Sequence, residues 1–295
     1  MNRRCCSVLP GLAGVLVAAG IAVPGLLAQE PTLDDVLAKA AAATNQFTDP
    51  SRVIVCEERY KQTFSKLIYN TSGRVETKEI SSRELVAELA FVDTPSETPK
   101  GFPWMEFRDV IMVDKKPVRD GVSRLGILSS AQLADAITKA WDYTKDAMGF
   151  QFGEMPRTAV LPRAAMLFLH GANQARFEFK KAGTKGFKNV KTWELKYQEK
   201  GSPTIMTGNF GEKNARVKGS LWVDPVSGRV YAATISSEDE PKLKDDMSLT
   251  FGEDKVSGLW VPVEMKHKTE IGTSEEMVNG EATYKNCRAV PRKTS

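Results

Sequence analysis

Apolar and polar residues alternate with period two along most of the C-terminal half of the chain. Val217, Gly219, Leu221 and Val223 share one side of a run whose other side carries Lys218, Ser220 and Trp222. Trp193, Leu195 and Tyr197 alternate with Glu194, Lys196 and Gln198, and Met247, Leu249 and Phe251 alternate with Ser248 and Thr250. Leu259, Val261, Val263 and Met265 repeat the pattern, and Phe177 and Phe179 begin it. Strict alternation places successive side chains on opposite faces of a strand, so one face is buried and the other is wet. Asp224-Pro225-Val226-Ser227-Gly228 separates two such runs and predicts a hairpin turn, because Pro presets φ and Gly accepts positive φ. Earlier runs at Arg52–Lys61, Ser82–Val92 and Trp104–Val113 also read as strands, with a helix competing at Ser82–Val92. Pro262 interrupts its run and predicts an edge or a bulge.

A helical period replaces this alternation in three places. Leu33, Val36, Leu37, Ala40, Ala41, Thr44 and Phe47 fall on one helix face, with Thr32 as cap and Asp34 and Asp35 in the first turn. Asp49-Pro50 ends that helix. Leu133, Ile137, Ala140, Trp141, Thr144 and Met148 make a second stripe, started by Ser129 or Ser130 and stopped by Gly149. A shorter helix is predicted over Arg163–Leu169, with His170 ending it before Gly171. Many strands joined by short turns, with few helices, define an α+β protein built on a large antiparallel sheet.

The N-terminus reads differently. Arg3 and Arg4 precede a nearly unbroken apolar or small stretch from Val8 to Leu27, and Ala28 offers a small residue for cleavage. Charge, apolar run and small residue follow the order of a signal peptide. The competing reading is a retained membrane anchor, but Pro10, Pro24 and several glycines interrupt the run. The expectation is a signal peptide over residues 1–28 and a single domain over 29–295, periplasmic or extracellular, with no integral membrane span after cleavage. The formal net charge is +4, of which Arg3 and Arg4 supply two, and the remaining charges are mixed along the chain. Nucleic-acid binding needs a clustered basic face, so nucleic acid is not an expected partner.

Cleavage would leave two cysteines, Cys56 and Cys287, in the first and last strand candidates. An even number in an oxidising compartment is a disulfide candidate, and the alternative is two separate buried thiols.

Motifs for catalysis are scarce. His170 and His267 are the two histidines, and no HExxH, GxSxG, GxxxxGK[ST] or GxGxxG pattern occurs. No metal, no cofactor and no catalytic residue is expected. Adjacent carboxylates at Glu57-Glu58 would point to opposite faces of a strand, which makes the inward member the one of interest. Trp104, Trp193, Trp222 and Trp260 all fall in strand candidates and are the candidate lining of an apolar ligand site; core packing is the plainer reading. Trp222 and Trp260 lie out of phase with Leu221 and Leu259.

Residues 104–120 (WMEFRDVIMVDKKPVRD), 168–179 (FLHGANQARFEF), 219–235 (GSLWVDPVSGRVYAATI) and 258–271 (GLWVPVEMKHKTEI) resemble a family of secreted bacterial proteins of unknown function, frequent in acidobacteria-like genomes. That family offers no known activity to carry over, and so the resemblance supplies no catalytic residues. At the level of fold, the G-x-L-W-V-D-P-x-x-G-R-V pattern with its following strands is similar to the LolA-like lipoprotein-carrier fold of the bacterial periplasm. The resemblance implies a large curved antiparallel sheet, a half-barrel, with helices packed on one side around an apolar cavity. It also implies a lipid or lipoprotein acyl chain as partner. The expected function is thus a non-enzymatic envelope protein that holds an apolar ligand in a concave sheet. The alternative is an envelope protein–protein interaction or structural module without a ligand cavity. A carrier requires a continuous apolar cavity several methylenes deep with few charges inside, a scaffold a filled interior with an apolar patch outside, and an enzyme His170 or His267 beside a carboxylate or hydroxyl in a cleft.

Overall fold

The computed structural model describes residues 30–45, 49–93, 103–152, 161–187, 189–206, 215–239, 243–271 and 275–293. The expected export segment, residues 1–28, and Phe47 lie outside the described residues. Residues Pro31–Ser295 group as one compact unit.

The chain opens with helix α1 (Leu33–Thr44). Thr32 caps it: its hydroxyl accepts from the Asp35 N–H, and the Asp35 carboxylate accepts in return from the Thr32 N–H. This reciprocal pair satisfies two N–H groups that helix geometry leaves unpaired. Three strands follow: β1 (Arg52–Tyr69), β2 (Val75–Asp93) and β3 (Trp104–Val113). A two-residue strand β4 (Lys116–Pro117) completes this side of the sheet. A 3-10 turn at Leu125–Ser129 and helices α2 (Leu133–Met148), α3 (Ala164–Leu169) and α4 (Gly171–Gln174) come next. The rest is strand: β5 (Phe177–Phe187), β6 (Val190–Glu199), β7 (Arg216–Val223), β8 (Val230–Asp239), β9 (Leu243–Glu253), β10 (Trp260–Ile271) and β11 (Glu276–Pro291).

All eleven strands form one antiparallel sheet in the order β4-β3-β2-β1-β11-β10-β9-β8-β7-β6-β5. The chain runs outward from β1 to one edge, passes through the helical segment to the opposite edge, and returns strand by strand until β11 pairs with β1. Tyr60 lies opposite Leu85 on one side and Ala282 on the other. Cys56 and Cys287 are joined by a disulfide across that junction, 231 residues apart in sequence.

The fold is the expected α+β open sheet. Flat, eleven strands would span roughly 48 Å. Yet side chains from strands near both edges converge on one core: Leu89 and Trp104 share it with Leu195, Val223 and Val261. The six-residue helix α3 touches both wings, with Arg163 at its start over Trp104 of β3 and Phe168 against Tyr197 of β6, so the sheet curls around it. α1 and α3 fill the inner side, and every residue of α3 is buried.

The helices do not all lie on this inner side. The 3-10 turn and α2 pack on the other face, over Val53, Val55, Ala90, Val92, Met105 and Phe107. The cause is local composition. β1, β2 and β3 carry apolar residues on both faces here, so both faces need cover. Beneath α2, Asp109 is buried and is held by Arg119 and Arg124, which fastens the segment after β4 to the sheet.

Pro262 falls at a register shift between β10 and β9, so a bulge, and not an edge, absorbs its missing N–H. The β7–β8 turn has the predicted build. Asp224 Oδ1 accepts from the Val226 N–H, the Gly228 N–H donates to the Asp224 carbonyl, and Gly228 has φ +75°. Asp254-Lys255-Val256-Ser257-Gly258 repeats this turn between β9 and β10, with Gly258 at φ +69°. The two turns stand at the same end of the sheet, two strands apart.

Candidate functional site on the inner face of the sheet

The inner face is apolar over most of its extent, but it is crossed by a line of buried polar groups. Glu58 on β1 is the inward member of the Glu57-Glu58 pair. It is 0 % exposed and bonds bidentately to Arg108 on β3, with Nη2 to Oε1 at 2.9 Å and Nε on Oε2. Burial opposes the charge of Arg108, but the Glu58 carboxylate outweighs it and holds the guanidinium proton more tightly than usual. Tyr284 on β11 lies beside this pair, and its hydroxyl donates to Met265 Sδ at 3.6 Å. Burial, reinforced by the Glu58 charge, pushes the Tyr284 phenol well above its ordinary range.

A second buried pair lies two residues along β3. Glu106 accepts from Arg163 Nε at 3.3 Å, where Arg163 is the residue that leads into α3. The Arg163 guanidinium stacks over the rings of Phe91 at 4.0 Å and Trp104 at 5.0 Å. Here burial dominates both partners. It raises the Glu106 carboxyl from 4.5 to about 7, with Arg163 and Arg108 pulling the other way, and it lowers Arg163 to about 10. Among the described residues Glu106 Oε2 has no well-formed hydrogen-bond donor. A buried ion pair of this kind is costly to desolvate and stabilises less than apolar packing of equal volume.

Tyr60 on β1 and His267 on β10 complete the line. The tyrosine hydroxyl and His267 Nε2 share a hydrogen bond across β11. They meet because the intervening residue is Gly280. A Cβ there would stand 2.1 Å from His267 Nε2 and 2.6 Å from the Tyr60 ring. Among the described residues no group of three or more His, Cys, Asp or Glu is placed to hold a metal ion. His170 lies elsewhere, at the junction of α3 and α4, where Nδ1 accepts from the Ala172 N–H and the ring meets Trp104 edge-on. Burial lowers its pKa.

The four tryptophans divide. Trp104 and Trp193 are buried on the inner face, at 3 % and 4 % exposure, and Lys181 Nζ sits 3.5 Å above the Trp193 ring. Trp260 joins the same core at the start of β10, its Nε1 donating to the Val230 carbonyl at 3.0 Å. Trp222 does not join them. It lies on the outer face, opposite the buried Leu221, and touches Phe187. A row of aromatic contacts results, running from the outward Trp222 through the partly exposed Phe187 and Tyr231 to Trp260, which is buried in the core. Phe187 and Tyr231 were not visible as partners in sequence, since strand pairing brings them together.

Phe168 of α3 reaches the opposite wing of the inner face and packs against Phe177 and Tyr197. The inner face is therefore occupied by α3, a six-residue helix with no polar side chain. Chemically the arrangement offers an apolar surface with two guanidinium–carboxylate pairs set into it.

No protein-family model matches the chain, and no curated protein matches it. Solved structures of similar outline include a DUF1329 family protein from Desulfovibrio piger, with 12 % identity and a TM-score of 0.33 over 86 % of this chain and 92 % of that one. They also include a putative outer membrane lipoprotein-sorting protein domain from Vibrio parahaemolyticus, with 10 % identity and a TM-score of 0.32 over 85 % and 91 %. A LolA superfamily protein from Nitrosomonas europaea aligns at 9 % identity and a TM-score of 0.32 over 90 % and 95 %. At this level of likeness the architecture rests on the strand order of the chain itself, and no ligand transfers from those proteins.

Proposed function

We propose that this is an exported envelope protein, periplasmic in a two-membrane cell, that holds an apolar chain such as a lipid acyl tail against the inner face of its sheet. The observation that carries this reading is the identity of what occupies that face. That face is filled by α1 and by the apolar hexapeptide Ala164–Leu169, so a ligand has to displace cover, and the hexapeptide is the part with no polar side chain. Exchange of such a segment for an acyl chain replaces one apolar contact with another and gives up little regular backbone structure. The surface it would uncover, with Phe91, Trp104, Phe177 and Tyr197, is large and mostly apolar.

Native mass spectrometry of protein purified from the envelope of its own host tests this. The expected result is a co-purifying lipid, released on denaturation. Recovery of ligand-free protein only, with no thermal shift on addition of a long-chain fatty acid, would overturn it.

A second reading, an interaction module, is favoured by one specific observation: the interior is filled, with α1 and α3 seated on the inner face.

A further inference from the structure

The outer face of the sheet near the β7–β8 and β9–β10 turns combines three features that the inner face does not explain. The first is a pair of apolar tips. Val226 and Val256 are each 78 % exposed, the highest values among the exposed large apolar side chains of the described residues. They occupy the same position in two turns of the same build, and that build makes no use of their side chains. The aspartate, serine and glycine of each turn supply its side-chain and positive-φ requirements.

The second feature is the aromatic row. Phe187, Trp222 and Tyr231 are partly exposed and in ring contact, at centroid separations of 6.2 and 6.3 Å. The third is charge. Lys185 Nζ lies near the rings of Phe187 and Trp222, Arg229 lies over Trp260, and Lys255 is exposed in the second turn. The acids at this end include Glu253, Asp224 and Asp254. Asp254 is 8 % exposed and Asp224 is partly buried, both tied to donors of their own turns, whereas Lys185, Arg229 and Lys255 are exposed alongside the one exposed acid of the three, Glu253.

We propose that this end of the molecule docks on the surface of an anionic lipid bilayer. Two separate single-residue tips do not make the contiguous, close-packed patch that a protein interface buries. They do suit shallow insertion between lipids, with aromatic rings at headgroup depth and lysine and arginine on the phosphates. A glycan would stack on rings that lie in one plane, and these are tilted to one another by 57° and 37°. The docking surface is distinct from the inner face and does not depend on the inner face carrying a ligand.

Co-sedimentation of the protein recovered from the envelope, with vesicles of phosphatidylglycerol and phosphatidylethanolamine or of phosphatidylcholine alone, tests the proposal. Binding to the anionic vesicles is expected, weakened by salt, with a blue shift of tryptophan emission. The double variant Val226→Asp/Val256→Asp, whose side chains point to solvent, is expected to bind about tenfold more weakly at unchanged thermal stability. Lys255→Glu is expected to weaken binding to anionic vesicles only. Equal binding by the wild type and the double variant would overturn the proposal, as would equal binding to the two vesicle types. Retention on an insoluble cell-wall polysaccharide, lost in Trp222→Ala and without vesicle binding, would also overturn it in favour of a glycan.

Discussion

Glu106 sits where a carboxylate is costly to charge, and the cost has a pH signature. Its pKa rises from 4.5 in the unfolded chain to about 7 in the fold, chiefly through burial. The folded state therefore keeps the proton longer than the unfolded state does. The stability linked to this proton is complete below pH 4.5 and is lost as pH rises to about 7. A shift of that size corresponds to about 3 kcal/mol. Urea unfolding at a series of pH values should show the wild type losing about that much relative to Glu106→Gln between those limits. Parallel curves for the two proteins would contradict it. Single residues were only partly legible in sequence. Period two says that one member of Glu57-Glu58 points inward without saying which, and the structure makes it Glu58. Its partner Arg108 lies 50 residues away and depends on the order of β1, β2 and β3, which no local pattern encodes. The pairing of Tyr60 with His267 depends on the register of three strands and on Gly280 between them.

The twin turns offer a comparison between elements within one molecule. Gly228 and Gly258 have nearly the same φ, so Ala costs about 1 kcal/mol at either from backbone strain. Their surroundings differ. A Cβ on Gly228 would stand 2.3 Å from the Lys39 carbonyl of α1, whereas one on Gly258 meets an atom only at 3.8 Å. Gly228→Ala should therefore destabilise by roughly 2 kcal/mol more than Gly258→Ala, since it pushes α1 off the sheet. Equal urea midpoints for the two variants would show that α1 is loosely seated. Elements with a strong local signal were readable: the cap at Thr32, the apolar hexamer after Arg163, and the turn at Asp224. The first half of β2 was not, because Val75–Ser82 is largely exposed and carries no alternation to detect. The position of α2 was also hidden. Its apolar stripe says that it packs, but only the two-faced apolar character of β1–β3 says on which side.

Over the whole molecule, the Cys56–Cys287 bond closes a loop of 231 residues between the strands that join its two halves. Chain entropy assigns such a cross-link about 5 kcal/mol, an upper figure when the reduced state keeps structure. Reduction, or the pair Cys56→Ser/Cys287→Ser, should lower the unfolding free energy by an amount of that order, read as a lower urea midpoint with the same native fold. Identical midpoints with and without reductant would refute it. The sheet and the α+β class followed from alternation and turn chemistry. The handover from one edge to the other, and the return of the last strand to the first, did not, since they are properties of pairing between distant segments.

That return sets an order of assembly. β1 sits in the middle of the sheet, yet it is synthesised first among the strands, and its neighbour β11 is synthesised last. Until β11 is made, β1 has one hydrogen-bonding edge without its partner, and its inward Glu58 lacks the neighbour that Tyr284 provides. The central seam of the sheet therefore closes late, through contacts between distant segments, which is the kind of pairing that slows folding and leaves a strand edge open in the meantime.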